Sequence, residues 1–179
     1  EGDAVRLAPA DLGAQLDGQV LPGPGGLAQG HGDIGAAGPG EVEGLVQALT
    51  LWGDASLRVL AIGRLTYYKG HEVLIRASAS LPGVRTLIIG GGEYRQRLER
   101  LIQTLNLDGS VQLTGYLSEA EIAALLASCD LVCLPSLERT EAFGLVLLEA
   151  MRYAKPVVVS DIPGSGAPWL VRRAQNGLL

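Results

Sequence analysis

The chain is poor in the features that place a protein in a membrane or at a metal. None of its uninterrupted apolar runs approaches the ~18 residues of a membrane-spanning helix. No basic stretch followed by an apolar one opens it, so no secretory signal is expected. It has two cysteines, Cys129 and Cys133, whose spacing fits no common metal or redox motif. Both read as core thiols in a reducing compartment. His, Asp and Glu show no metal-ligand spacing, so no metal is expected. There is no Gly-Lys-Ser/Thr phosphate loop. The run Gly90-Gly91-Gly92 fails the dinucleotide fingerprint, because Arg95 stands where the third small residue belongs. A formal charge of -5 argues against nonspecific nucleic-acid binding, and no nucleic-acid partner is expected.

What is present divides near Ser56. The first 57 residues hold 13 of the 25 glycines, eight acidic residues against one Arg, and no Lys, Tyr or Phe. The stretch from Leu21 to Gly40 has no period of 2 or 3.6 and is full of breakers. Only Glu41 to Leu51 is weakly helical. Residues 1–56 are therefore read as a Gly-rich, low-complexity segment, irregular or outside the fold. It is either a flexible linker or a frame-shifted stretch upstream of an intact domain. Residues 57–179 are read as the folded domain. With 47% hydrophobic residues, the chain has enough apolar side chains for a core.

From Leu57 on, strands and helices alternate. Strands are expected at Leu57–Ile62, Thr86–Ile89, Val111–Thr114, Leu131–Leu134 and Pro156–Ser160. Helices are expected at His71–Leu81, Glu93–Leu105, from the Ser118-Glu-Ala-Glu121 capping box to Ser128, and from Phe143. The fold class is α/β, a Rossmann-like parallel sheet flanked by helices. In such sheets ligands bind beyond the carboxyl ends of the strands, and the unusual residues sit there. They are Gly63-Arg64 to Lys69-Gly70, Gly90-Gly91-Gly92, Gly115-Tyr116-Leu117, Pro135-Ser136 to Glu141, and Asp161 to Gly166. Arg64 and Lys69 bring positive charge, and the start of the Phe143 helix brings N–H donors. The combination suits a diphosphate. His71 is expected at the surface, and Tyr67 and Tyr68 in loop packing.

Glu149 is the most unusual residue. From Phe143 to Met151 only Gly144 and Glu149 are not apolar, and a helix apolar all round is normally buried. A buried carboxylate needs a partner, either within the fold or on a hydroxyl-rich ligand. Glu141, just before the helix, and Glu149, about 9 Å along it, would hold two ends of one elongated ligand.

These motifs resemble the C-terminal, donor-binding domain of GT-B glycosyltransferases of the family 4 type (group 1 glycosyltransferases). The resemblance covers residues 57–179. It runs through Gly63-Arg64…Lys69-Gly70, Ile89 to Gly92, Val111…Gly115-Tyr116, Asp130…Pro135-Ser136 and Glu141-x7-Glu149. It continues through Ala150-Met151, Lys155 to Val158, Ser160-Asp161 and Asn176-Gly177-Leu178. The resemblance implies retaining transfer of a sugar from a nucleoside-diphosphate sugar to a saccharide or lipid-linked acceptor. By it, Arg64 and Lys69 grip the diphosphate, Glu141 is the catalytic residue at the donor sugar, and Glu149 holds the ribose. Gly91, Tyr116 and Leu117 lie by the nucleotide, and amides around Phe143, Gly144 and Leu145 approach sugar and phosphate. No cofactor and no metal are implied. The resemblance also implies an N-terminal acceptor domain and closing C-terminal helices that these 179 residues do not show. The chain alone is then expected to be inactive. The parent enzyme is expected in the cytoplasm, with peripheral association at the inner face of the membrane left open. The sequence departs from the family's pattern at Arg152-Tyr153-Ala154 and at Gly164 to Trp169. Two other classes stay open: a nucleotide-sugar epimerase of GT-B architecture, and a non-catalytic α/β binding module.

Overall fold

The structure is a computed structural model that describes residues 39–141 and 143–179. Its elements, in order, are α1 (Pro39–Thr50), β1 (Leu57–Ile62), a 3-10 turn (Tyr67–Lys69), α2 (His71–Ser78), β2 (Val84–Ile89), α3 (Arg95–Thr104) and β3 (Val111–Gly115). Then come α4 (Glu119–Ser128), β4 (Leu131–Leu134), α5 (Leu145–Arg152), β5 (Val157–Val159), α6 (Gly166–Ala174) and β6 (Gly177–Leu178).

The strands form one six-stranded sheet in the order β3-β2-β1-β4-β5-β6. Every pairing is parallel; β1 aligns with β2 from Leu57↔Val84 to Ile62↔Ile89, and with β4 at Val59↔Leu131. This is the expected Rossmann-like sheet. Side chains alternate across it, and two cores result. Leu60 and Leu87 face a core closed by Ala48 of α1, Leu125 and Leu126 of α4, Leu147 of α5 and Val171 of α6. Val59, Ala61 and Ile88 face a core closed by Leu74 and Ile75 of α2 and Leu98 and Ile102 of α3. Cys129 and Cys133 are buried, one in each core. Burial pushes the Cys129 thiol up to about 11 and the Cys133 thiol up to about 12, so both stay protonated at neutral pH.

Four expectations are corrected. First, the fold does not begin at Leu57. Residues 1–38 lie outside the described residues, but α1 packs against α4. Ala48 and Trp52 are each only 2% exposed within the first core. The Trp52 indole Nε1 donates to Ser128 Oγ at 2.9 Å. Second, the helix expected from Phe143 begins at Leu145. Gly144 has φ +70, a left-handed conformation that ends any helix coming from Phe143 and is open chiefly to glycine. Third, α5 is not buried on all sides. At 100° per residue, Val146, Leu147 and Ala150 turn inward, while Leu145, Leu148 and Glu149 fall on the outer face and are exposed. The helix lies on the sheet by one face, so Glu149 is a solvent-facing carboxylate, not a buried one. Fourth, His71 is buried, 3% exposed, at the start of α2.

Two elements were not expected. α6 was hidden by Gly164-Ser-Gly-Ala-Pro, which reads as a loop. Pro168 falls within its first turn, where a missing N–H costs nothing, and the Ser165 hydroxyl caps it. β6 has only two residues, too few for a pattern.

Candidate functional site

The strand order reverses direction between β1 and β4, and the crevice at such a switch point is where open α/β sheets take ligands. Here the loops that follow β1 and β4 are in close contact. Gly70 has φ +66, and a Cβ on it would stand 1.8 Å from the Pro135 carbonyl oxygen. The Leu137 amide donates to the Tyr68 carbonyl at 2.7 Å. Any side chain at Gly70 would force the two loops apart.

This contact brings together residues far apart in the chain. Lys69 Nζ forms an ion pair with Glu141 Oε2. The Ser136 hydroxyl donates to the same carboxylate oxygen at 3.1 Å. Both side chains of the pair are largely buried, with 14% of Lys69 and 10% of Glu141 exposed. Lys69 Nζ also stands 5.7 Å from the Tyr68 ring centroid. Arg64 is exposed at the mouth of the crevice, and its Nη2 donates to Tyr68 Oη at 3.1 Å. Behind it His71 Nε2 lies 3.3 Å from the Arg64 carbonyl oxygen. Burial holds the His71 imidazole down at about 4. It is neutral at physiological pH and so adds nothing to the positive charge of Arg64 and Lys69.

The neighbouring strand ends supply a second surface. Gly91 lies under Tyr116, because a Cβ there would stand 2.7 Å from Tyr116 Oη. The Tyr116 side chain is 85% exposed. Leu117 packs against the first core. On the other flank Phe143 is exposed in the bend before α5, Gly144 caps the helix, and Leu145 projects outward. Glu149 lies on that same outer face, about one turn into α5 rather than one and a half.

The structure thus joins Arg64 and Lys69 at Tyr68, Lys69 with Glu141, and Gly91 with Tyr116. It gives the Glu149 carboxylate no hydrogen bond or ion pair among the described residues. Two residues given no role of their own by the sequence hold Glu141: Ser136, through its carboxylate, and Ser165, whose Oγ donates to the Glu141 carbonyl at 2.7 Å. A serine before a hidden helix start was the one available signal for the latter. No group of three or more potential metal ligands gathers among the described residues. No helix among them is long and apolar enough to cross a membrane. The opposite end of the sheet, at the amino-terminal ends of β1 to β3, holds a cleft of about 440 Å³ near Trp52, Arg85 and Gly109. Arg85 is already spent there on the carbonyls of Leu51 and Gly109, at 2.9 and 2.8 Å.

Residues 50–179 match the family model described as glycosyl transferases group 1. The chain belongs to this family. It is 34% identical over 121 residues to the lipopolysaccharide core biosynthesis glycosyltransferase LpsE of Rhizobium meliloti, covering 68% of this chain and 34% of that protein. It is 34% identical over 153 residues to a D-inositol 3-phosphate glycosyltransferase of Mycobacterium bovis, covering 82% of this chain and 31% of that one. Among solved structures, Anabaena HepE in complex with UDP matches with a TM-score of 0.66 and 33% identity, over 80% of this chain and 39% of that one. The same protein has also been solved with UDP-glucose. The chain spans about a third of the length of the curated relatives it matches.

Proposed function

We propose that this group 1 glycosyl transferase chain is the donor-binding, C-terminal half of a GT-B enzyme of the family 4 type. The enzyme would transfer a sugar, with retention, from a nucleoside-diphosphate sugar to a saccharide or lipid-linked acceptor. The observation that carries the reading is the crevice between β1 and β4, where Arg64, Lys69 and Glu141 converge. In this reading Arg64 holds the diphosphate, and Lys69 exchanges part of its contact with Glu141 for a phosphate oxygen. Glu141 acts at the donor sugar. Glu149, open to solvent on α5, accepts the ribose hydroxyls. Tyr116 and Leu117 border the base, with Gly91 beneath Tyr116. The amides of Phe143, Gly144 and Leu145 face the sugar and phosphate. Cationic side chains and fixed amides aimed at the leaving diphosphate stabilise the charge that develops there, so the reading assigns no metal and no cofactor.

The acceptor would be held by parts of the enzyme that resemble the remaining length of its relatives. Positioning of acceptor against donor supplies much of the rate in a bimolecular transfer. Residues 1–179 alone are accordingly read as binding donor without turning it over. The parent enzyme is read as cytoplasmic, working at the inner face of the membrane when its acceptor is lipid-linked.

Calorimetric titration of the chain with UDP tests the donor-binding part. A hydrogen bond to a charged group contributes about 1.5–3 kcal/mol. Arg64→Ala is therefore expected to weaken UDP binding at least about tenfold. Unchanged affinity in a variant with an unaltered circular dichroism spectrum would refute the role given to Arg64.

A further inference from the structure

The loop that carries Glu141 has little of its own to hold it. Residues Leu137 to Thr140 are exposed. Within the loop, one backbone bond reaches Glu141, from its amide to the Glu138 carbonyl at 3.1 Å. The Glu141 carbonyl is instead held from another part of the fold. Ser165, 24 residues on, donates its hydroxyl to that oxygen at 2.7 Å. The same Oγ accepts from the Ala167 amide at 3.3 Å and so caps α6. A serine hydroxyl has one hydrogen and two lone pairs, so both bonds coexist. The hydrogen goes to Glu141, and that bond is the shorter of the two. Ser165 is only 8% exposed. Its helix is anchored by Ala167, Pro168 and Val171, all buried.

We propose that Ser165 is a positioning residue for Glu141. Its hydroxyl ties the Glu141 backbone to the rigid start of α6, and this keeps the carboxylate against Ser136 and Lys69 at the crevice. Glu141 is thereby fixed from two sides, the carboxylate by Ser136 and Lys69 and the carbonyl by Ser165. The consequence for ligands rests on the donor-binding reading above. There, the nucleotide and diphosphate are held by groups other than Glu141, and only the sugar is met by its carboxylate. Loss of the Ser165 hydroxyl should therefore weaken recognition of the sugar and spare that of the nucleotide.

The test compares wild type, Ser165→Ala and Ser165→Thr in titrations with UDP and with UDP-glucose, beside crystal structures of the unliganded proteins. Thr keeps both the donor and the cap acceptor. Ser165→Gly, a better helix N-cap than Ala, replaces the Ala variant if that fails to fold. Ser165→Ala is expected to bind UDP-glucose about tenfold more weakly and UDP within about twofold of wild type, the loss of one charge-assisted contact. Ser165→Thr is expected to restore the wild-type pattern. In the unliganded Ser165→Ala structure, the Glu141 backbone is expected to shift and its carboxylate to leave Ser136. Equal weakening of both ligands, or of neither, would overturn the proposal. So would an unmoved Glu141 in the crystal, whether or not the chain binds UDP. A wild-type chain that binds neither ligand would remove the donor-binding reading, and the crystal structures would still decide whether Ser165 positions Glu141.

Discussion

Replacing Trp52 by Ala is expected to destabilise the domain by about 3–5 kcal/mol, the usual cost of truncating a buried aromatic side chain. Trp52 is 2% exposed and sits in the core that also holds Ala48, Leu125 and Leu126. Its indole N–H bonds to Ser128 Oγ at 2.9 Å, so the substitution empties a site and removes a polar contact. Denaturant unfolding followed by circular dichroism reads the change as a lower midpoint with little change in slope. The same experiment on a chain beginning at Leu57 should show a loss at least as large, because α1 goes as well. A Trp52→Ala midpoint equal to that of wild type would mean that the turn after α1 is not part of the folded unit.

Lys69→Met is the second substitution with a large expected effect. It keeps most of the volume of the side chain and leaves the Glu141 carboxylate, 10% exposed, without its cation. Removing one partner of a buried ion pair costs about 3–5 kcal/mol, because the remaining charge is left desolvated and unpaired. Ser136 still donates to Glu141 Oε2, so the lower end of that range is expected. The double variant Lys69→Met/Glu141→Gln removes the orphaned charge and should recover most of the loss. Thermal unfolding of the four proteins closes a double-mutant cycle. If each single variant loses little and the losses simply add, the pair is a surface contact of small weight.

The contrast between Glu141 and Glu149 shows where the sequence was legible. A buried carboxylate in need of a partner does exist here, but it is Glu141. Glu149 looked buried because its neighbours are apolar. The eight-residue α5 nevertheless rests on the sheet by one face and leaves Leu145, Leu148 and Glu149 outside. Glu141 stands in a loop, where no period reports burial, and its cation is 72 residues away. Only the tertiary meeting of the loops after β1 and β4 makes that pair. Local signals fared better. β1 and β4 follow short apolar runs with the expected bounds, since strands covered on both faces read as continuous hydrophobic stretches. The capping box at Ser118 and Glu121 is formed. Both its members lie within one turn, so sequence spacing is enough to specify it. The start of the fold was missed for the opposite reason. α1 carries weak periodicity, and Trp52 is a single residue whose burial depends on α4. Ser165 was hidden because its partner is the carbonyl of Glu141, and backbone atoms leave no trace in a side-chain motif.

The crevice between β1 and β4 as the nucleotide-sugar site is the central claim. Amide chemical-shift mapping of the isotope-labelled chain during titration with UDP-glucose tests it most directly. Shifts should concentrate at Gly63 to Gly70, Gly90 to Gly92, Gly115 to Leu117, and from Ser136 to Glu149. Shifts confined to the amino-terminal ends of the strands, around Trp52, Arg85 and Gly109, or none at all at saturating ligand, would contradict it.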